Sequence, residues 1–250
     1  MIQPFQNSAE FYELIYQKKD YKKEASYIFD LLNSLKFELK GEVLDIGCGT
    51  GGYLPFFLKK NVKLTGLDNS KEMLAIAKPK FKEVTFILGD VSTIQFFVKF
   101  HFAFMMFHVI NYQRTMAEIL KTFQNISSQM HINGVLVFDF WHGQAIEKDP
   151  PKNVEKEFCD NHLKLIRKTT PKVQDSSKTV DVCFDYFVFK EGIQVQQFQE
   201  HHYMRYLYIN ELRESLEQSG FEICLINGWL KYENITSEDW YGIVIARKIK

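Results

Sequence analysis

The stretch Val43-Leu44-Asp45-Ile46-Gly47-Cys48-Gly49-Thr50-Gly51 decides the fold. Its apolar residues around a single acid read as a short strand buried on both faces, and glycines at alternate positions follow at once. Such glycines let the chain turn tightly and let a ligand approach backbone where a β-carbon would collide. The spacing D-x-G-x-G-x-G differs from the G-x-G-x-x-G that seats a pyrophosphate on a helix N-terminus. A carboxylate beside the loop suits a cationic ligand better than a phosphate.

Working outward, short apolar runs alternate with helical stretches, the pattern of β-α-β units and a mainly parallel sheet. Helix is expected over residues 53–60, strand over 64–68, and a helix over 71–78 capped by Ser70 and stopped before Pro79. Strands follow at 84–88, 102–107 and 135–139, with a long amphipathic helix over 115–130. The first forty residues read as helix ended by Gly41. After Pro150 and Pro151, a block with two-residue alternation predicts antiparallel strands over about 154–208, placed where such insertions cover the ligand edge of the sheet. Helix returns at 210–219, then strands at 222–226 and 241–247. The expected fold is α/β: a Rossmann-like, seven-stranded, mostly parallel sheet with helices on both faces, an N-terminal helical lid and a late antiparallel β insertion. The expected organisation is a cap over 1–40, a core over 41–142 and 209–250, and an auxiliary insertion over 143–208.

Composition narrows the function. Of 250 residues, 46% are hydrophobic and 25% charged, which excludes disorder, collagen and coiled coil. Lys plus Arg and Asp plus Glu both number 31, so nothing drives the chain toward a phosphate backbone or anionic lipid, and neither nucleic acid nor membrane is an expected partner. The four cysteines form no C-x-x-C pair, no ligand spacing marks a metal site, and no secretory leader or membrane span is visible, so a cytoplasmic protein is expected. The 23 Phe and 12 Tyr must fill a core or line a pocket.

Two further acids end the next strands. Asp68, in Gly66-Leu67-Asp68, is placed to accept both hydroxyls of a ribose, and Asp90, in Gly89-Asp90-Val91, to accept from an adenine amino group while the Val91 N–H donates to the ring. Together with the loop at Gly47, Gly49 and Gly51, three successive strand ends offer seats for a charged tail, a ribose and a base.

In that order and spacing the sequence resembles the class I S-adenosylmethionine-dependent methyltransferases over about residues 42–140. The resemblance implies S-adenosyl-L-methionine as cofactor, with the glycine loop passing its methionine portion, Asp68 on the ribose, Asp90 on the adenine, and Asn69 and Met73 flanking the ring; Tyr12 and Phe107 join the expected cofactor set. Two departures occur: His101 stands where the family often has Asp, and Ile132-Asn133-Gly134 where it has Pro-Gly-Gly, with Asn133 able to take the left-handed turn. A narrower resemblance, to N-methyltransferases of nucleotide-linked deoxy amino sugars, rests on residues 11–16 with Asp20-Tyr21, on 107–113, and on Glu200-x-His202-x-Met204-Arg205. These motifs recur with glycine-like and other small amines.

The candidate catalytic residues are His108, at the end of the fourth strand beside the expected methyl group; His202, which shares a strand face with Glu200; and Tyr16, one helical turn from Tyr12 on a lid. Each has a plainer reading, as a packed ring, a solvent-facing pair and a hydrophobic staple. Tyr112, Trp141 and His142 are expected to face the crevice and Arg205 to clamp a substrate phosphate, unless it serves as an ordinary ion-pair residue. Cys48 reads as a packed small residue. The expected activity is methyl transfer to a small polar acceptor, with O- or C-methylation, a non-catalytic cofactor-binding module, and nucleic-acid or protein methylation as successively distant rivals. A homodimer is left open.

Overall fold

The computed structural model describes residues 4–250. A 3-10 turn leads into helix α1 (Tyr12–Ile15), and α2 (Tyr21–Ser34) begins at Asp20, whose side chain accepts from the Lys23 N–H at 2.9 Å. The expected continuation of helix to Gly41 does not occur. Lys36 turns left-handed at φ 61, and the N–H groups of Lys36 and Phe37 donate to the carbonyls of Asn33 and Leu32, both at 2.9 Å. That pattern satisfies the last carbonyls of a helix and ends it, here with lysine where glycine is usual.

The chain then alternates: β1 (Glu42–Ile46), α3 (Leu54–Leu58), β2 (Lys63–Asp68), α4 (Lys71–Ala77), β3 (Thr85–Leu88), β4 (Phe100–Met105), α5 (Met116–Ser128) and β5 (Met130–Trp141). After α6 (Gly143–Lys148) come four antiparallel strands, β6 (Val154–Cys159), β7 (Lys164–Gln174), β8 (Thr179–Lys190) and β9 (Ile193–Arg205). Helix α7 (Ile209–Gln218) and strands β10 (Phe221–Gly228) and β11 (Tyr241–Lys248) complete the core. The large sheet runs β10-β11-β5-β4-β1-β2-β3, parallel from β5 to β3, with β11 antiparallel to both its neighbours. The four-stranded sheet β6-β7-β8-β9 stands apart from it.

Period-two alternation divides the core. On β5, Leu136, Phe138 and Phe140 pack with Ile119 and Phe123 of α5 and Leu212 and Leu216 of α7, whereas Val135 and Val137 pack with Ile28 and Leu32 of α2 and Phe57 of α3. Helices therefore cover both faces, and the carboxyl ends of β1 to β4 border a common cavity. Asn133 adopts φ 65, the left-handed turn anticipated in place of glycine. Among the described residues no helix is long and apolar enough to cross a membrane.

Candidate functional site

The strand–glycine stretch builds the floor of a cavity of about 390 Å³. Cys48 and Gly47 donate their N–H groups to the Leu67 carbonyl at 3.1 and 2.8 Å, which folds the loop over the end of β2. Gly47, Gly49 and Gly51 all have positive φ, but they do different work. A β-carbon on Gly47 would meet Val109 at 2.4 Å, and one on Gly51 would meet Phe81 at 2.5 Å, whereas one on Gly49 would meet nothing within 4 Å. Gly49 therefore leaves the space a ligand would enter. Gly51 is corrected from cofactor contact to packing: it does not line the cavity.

Asp45, Asp68 and Asp90 all line this cavity, with differing electrostatics. Asp45 is enclosed in the sheet, its Oδ2 has no hydrogen-bond partner, and its carboxyl is pushed up to about 8, first by burial and then by Asp68. Asp68 accepts from the Ser70 N–H on Oδ1 at 2.8 Å and from the Gly49 N–H on Oδ2 at 2.7 Å. Burial raises its pKa, and those amides oppose the rise. Asp90 is exposed at the end of β3, where Oδ1 accepts from the Ser92 N–H at 2.7 Å. Asn69, Met73, Val91, Phe107, Tyr12 and Tyr112 also stand on the wall. Cys48 is buried, and burial pushes its thiol up, so it stays protonated.

The remaining candidates lie off the wall. Tyr16 sits behind it, its ring 4.7 Å from Tyr12 and 5.0 Å from Phe107. His108 turns its imidazole toward Asp139, with Nδ1 3.0 Å from Oδ2, and stacks on Tyr241 at 4.7 Å. Its N–H donates to Asp139 Oδ1 at 2.8 Å, holding Phe107 and His108 at φ 69 and 65, two successive strained residues at the end of β4. His202 is buried directly behind Tyr112, its Nδ1 2.7 Å from the phenol oxygen and its Nε2 3.5 Å from Glu200 Oε2. Trp141 is half-buried near Trp240.

Two substrate candidates leave the site. His142 is buried and its Nδ1 lies 3.2 Å from the Asp239 carbonyl oxygen, because a bridge between His142 and Leu207 draws it into the base of the insertion. Arg205 is buried too; its guanidinium donates to the Ser177 carbonyl at 2.9 Å and to Glu211 at 3.2 Å, tying β9 to α7. Arg205→Met is therefore expected to lower stability by about 2 kcal/mol, the scale of hydrogen bonds to a charged group. Urea unfolding measures it, and cofactor affinity is expected to stay unchanged.

Two sets of charged contacts are not read from the sequence, which pairs Glu200 only with His202. Glu200, buried on β9, accepts from the N–H groups of Asn7 and Ser8 at 2.8 and 2.9 Å and from the Ser8 hydroxyl at 2.7 Å, latching the N-terminal segment to the second sheet. Glu24 is buried beneath the aromatic wall, where it pairs with Lys19 at 2.5 Å and accepts from the Tyr53 hydroxyl, while Lys19 Nζ lies 4.3 Å from the Phe107 ring centre. The near partners, Lys19 for Glu24 and His202 for Glu200, are within sequence reach; Tyr53 and the N–H groups of Asn7 and Ser8 are far away in the chain.

Residues 43–134 match the family model of a methyltransferase domain. The matched segment, just over a third of the chain, is similar to a methyltransferase domain and carries the glycine loop and all three acids. Among curated relatives, the dTDP-3-amino-3,4,6-trideoxy-alpha-D-glucopyranose N,N-dimethyltransferase of Streptomyces venezuelae is 33% identical over 135 residues, covering 53% of this chain and 56% of the relative. A putative methyltransferase of Bacillus subtilis is 27% identical over 188 residues, 74% of each chain. The chain thus spans about half the length of the amino-sugar relatives it matches. Among solved structures, an S-adenosylmethionine-dependent methyltransferase of Clostridium acetobutylicum superposes with TM-score 0.81 at 19% identity over 98% of both chains. DesVI of Streptomyces venezuelae superposes at 0.80 and 21% identity over 96% of this chain and 98% of that one. At those identities the structures speak for the fold alone, insertion included.

The residues present fit the family's cofactor, S-adenosylmethionine. A buried carboxylate oxygen without a partner suits its ammonium or sulfonium charge, the open side of Gly49 leaves room for its tail, and Tyr12, Tyr21, Tyr53 and Phe107 present aromatic walls suited to a cation.

Proposed function

We propose that this methyltransferase moves a methyl group to the amine of a small polar acceptor, and that the acceptor is a nucleotide-linked amino sugar. The observation that carries the reaction is the unpartnered Asp45 carboxylate beneath a glycine loop open at Gly49, followed by acids at the next two strand ends. The names of three relatives, all N,N-dimethyltransferases of dTDP-linked amino sugars, support the acceptor.

When bound, S-adenosylmethionine supplies a methyl carbon already activated by its sulfonium. Asp45 would hold its positive charge, Asp68 its ribose and Asp90 its base, with Asn69 and Met73 against the ring. The enzyme's remaining tasks are to align a neutral amine and to keep water out, tasks suited to the aromatic wall and the latched N-terminal segment. The acceptor must also lose a proton. Tyr112 stands on the cavity wall with His202 and Glu200 behind it, so the phenol oxygen can take the ammonium proton as its own proton passes to His202 Nδ1, leaving an imidazolium against the Glu200 carboxylate. Burial holds the Tyr112 phenol well above its ordinary range, so it serves as a neutral relay and never as a free phenolate. His108, fixed by Asp139, and Tyr16 pack against Phe107, which lines the cavity.

The test is conversion of S-adenosylmethionine to S-adenosylhomocysteine with dTDP-amino sugars, glycine and a catechol offered separately. Turnover only with the amino sugar is the expected result; labelling of a catechol hydroxyl alone would reject the amine. In the same assay Tyr112→Phe and His202→Phe are each expected to lower kcat about 10²-fold, the lower end of general acid–base assistance. Cofactor affinity measured by calorimetry is expected to hold in His202→Phe, separating proton transfer from binding.

A further inference from the structure

The two faces of the four-stranded sheet treat charge differently. On its outer face β6 and β7 match opposite charges, Glu155 with Lys168 at 3.2 Å and Glu157 with Lys164 at 2.9 Å. On the inner face, turned toward the core, Lys156 stands directly across from Arg167. Like charges in that position repel. Among the described residues neither has a carboxylate within ion-pair distance, although the buried arginine of β9 and the half-buried Arg247 both do. Glu200 is the one acid among the strand residues sharing this face, and Asn7, Ser8 and His202 already occupy it.

Arg167 is nevertheless held firmly. Its guanidinium lies 5.3 Å from the Phe158 ring centre and 4.9 Å from that of Phe184, and its Nε is buried without a hydrogen-bond partner. Aromatic faces position a guanidinium without neutralising it, which leaves its fork of donors for an anion. Packed side chains join the location to the cavity wall: Phe184 meets His202 edge-on at 4.9 Å, and His202 bonds Tyr112, which lines the cavity. An anion at Arg167 would therefore sit at the outer end of a line of side chains whose inner end is the proposed proton acceptor.

We propose that Arg167 and Lys156 form a phosphoryl seat that takes the diphosphate of a nucleoside diphosphate acceptor. Two cations facing one another with no acid between them match the paired charges of a diphosphate better than one carboxylate. The seat deepens the methyl-transfer reading by supplying the anchor that the buried, internally paired arginine of β9 cannot, and its place relative to the amine rests on that reading.

Titration calorimetry decides it, using thymidine 5′-diphosphate, inorganic pyrophosphate and thymidine as probes, with and without S-adenosylhomocysteine. The wild type is expected to bind both diphosphates, with thymidine at least tenfold weaker and diphosphate affinity falling as salt rises. Arg167→Gln is expected to lose at least tenfold in diphosphate affinity with S-adenosylhomocysteine affinity unchanged. Lys156→Gln, an exposed position that leaves packing intact, is expected to lose severalfold and serves if Arg167→Gln fails to fold. Equal binding of thymidine and its diphosphate, no diphosphate binding by the wild type, or unaltered affinity in the variants would each overturn the seat. Failure of S-adenosylhomocysteine to bind while diphosphates still do would instead strike the cofactor reading.

Discussion

Gly49→Val is expected to abolish S-adenosylmethionine binding, by more than about 10²-fold, while the protein still folds. The glycine loop makes this separation possible. At Gly49 an added side chain enters empty space, so the fold bears only the cost of a left-handed residue at φ +54, about 1–2 kcal/mol and a few degrees of melting temperature. The same space is the opening beside Asp45 and Asp68, and a branched side chain fills it. Gly47→Ala and Gly51→Ala should behave in the opposite way. Their β-carbons would press on Val109 and Phe81 at 2.4 and 2.5 Å, so each lowers the melting temperature and weakens binding only through that distortion. Calorimetry with S-adenosylmethionine beside a thermal melt distinguishes the classes. Binding by Gly49→Val within threefold of wild type would remove the loop from the cofactor site.

That contrast also marks how far local sequence carries. The acids at 45, 68 and 90 were legible because each sits in or just after a short apolar run, and a parallel strand end is where ligands meet an α/β sheet. The strand over 135–139, inside β5, and the left-handed turn at Asn133 are legible for the same reason: the cause lies within a few residues. Three glycines at equal spacing, however, look alike until Phe81 and Val109 are in place, and only then does Gly49 separate from its neighbours. The early end of α2 was hidden because its closing residue is Lys36, whose conformation is imposed by the turn and not advertised by its type. Arg205 and His142 read as substrate residues because a polar residue near a crevice has no local sign of an internal partner; Glu211 and the Asp239 carbonyl supply one through the fold. The Glu200 latch joins residues separated by 192 and 193 positions, beyond the reach of any periodicity.

Binding of S-adenosylmethionine to the wild type near pH 6.5 is expected to release about one proton, and Asp45→Asn to release none while binding at least tenfold more weakly. In the free protein the Asp45 carboxyl is buried, unpartnered and pushed up to about 8, so it is largely protonated at neutral pH. A cation placed beside it favours the carboxylate, and the proton must leave as the ligand enters. Calorimetry in two buffers of different ionisation enthalpy counts that proton directly. The same group makes the free protein sensitive to alkali. Its folded pKa lies above the ordinary carboxylate value of 3.8, so the folded state binds the extra proton and the stability this gives is complete below about pH 4. It drains away as pH rises from there through about 8, where the folded carboxyl ionises in a place that solvates it poorly. Asp45→Asn keeps the shape and discards the titration, so its melting temperature should exceed that of the ligand-free wild type at pH 9 and approach it at pH 5. Saturating cofactor should reverse the order at pH 9, because only the carboxylate gains a partner. Wild type and variant with parallel melting profiles, and equal proton release, would mean that Asp45 is satisfied within the protein and does not face the ligand's charge.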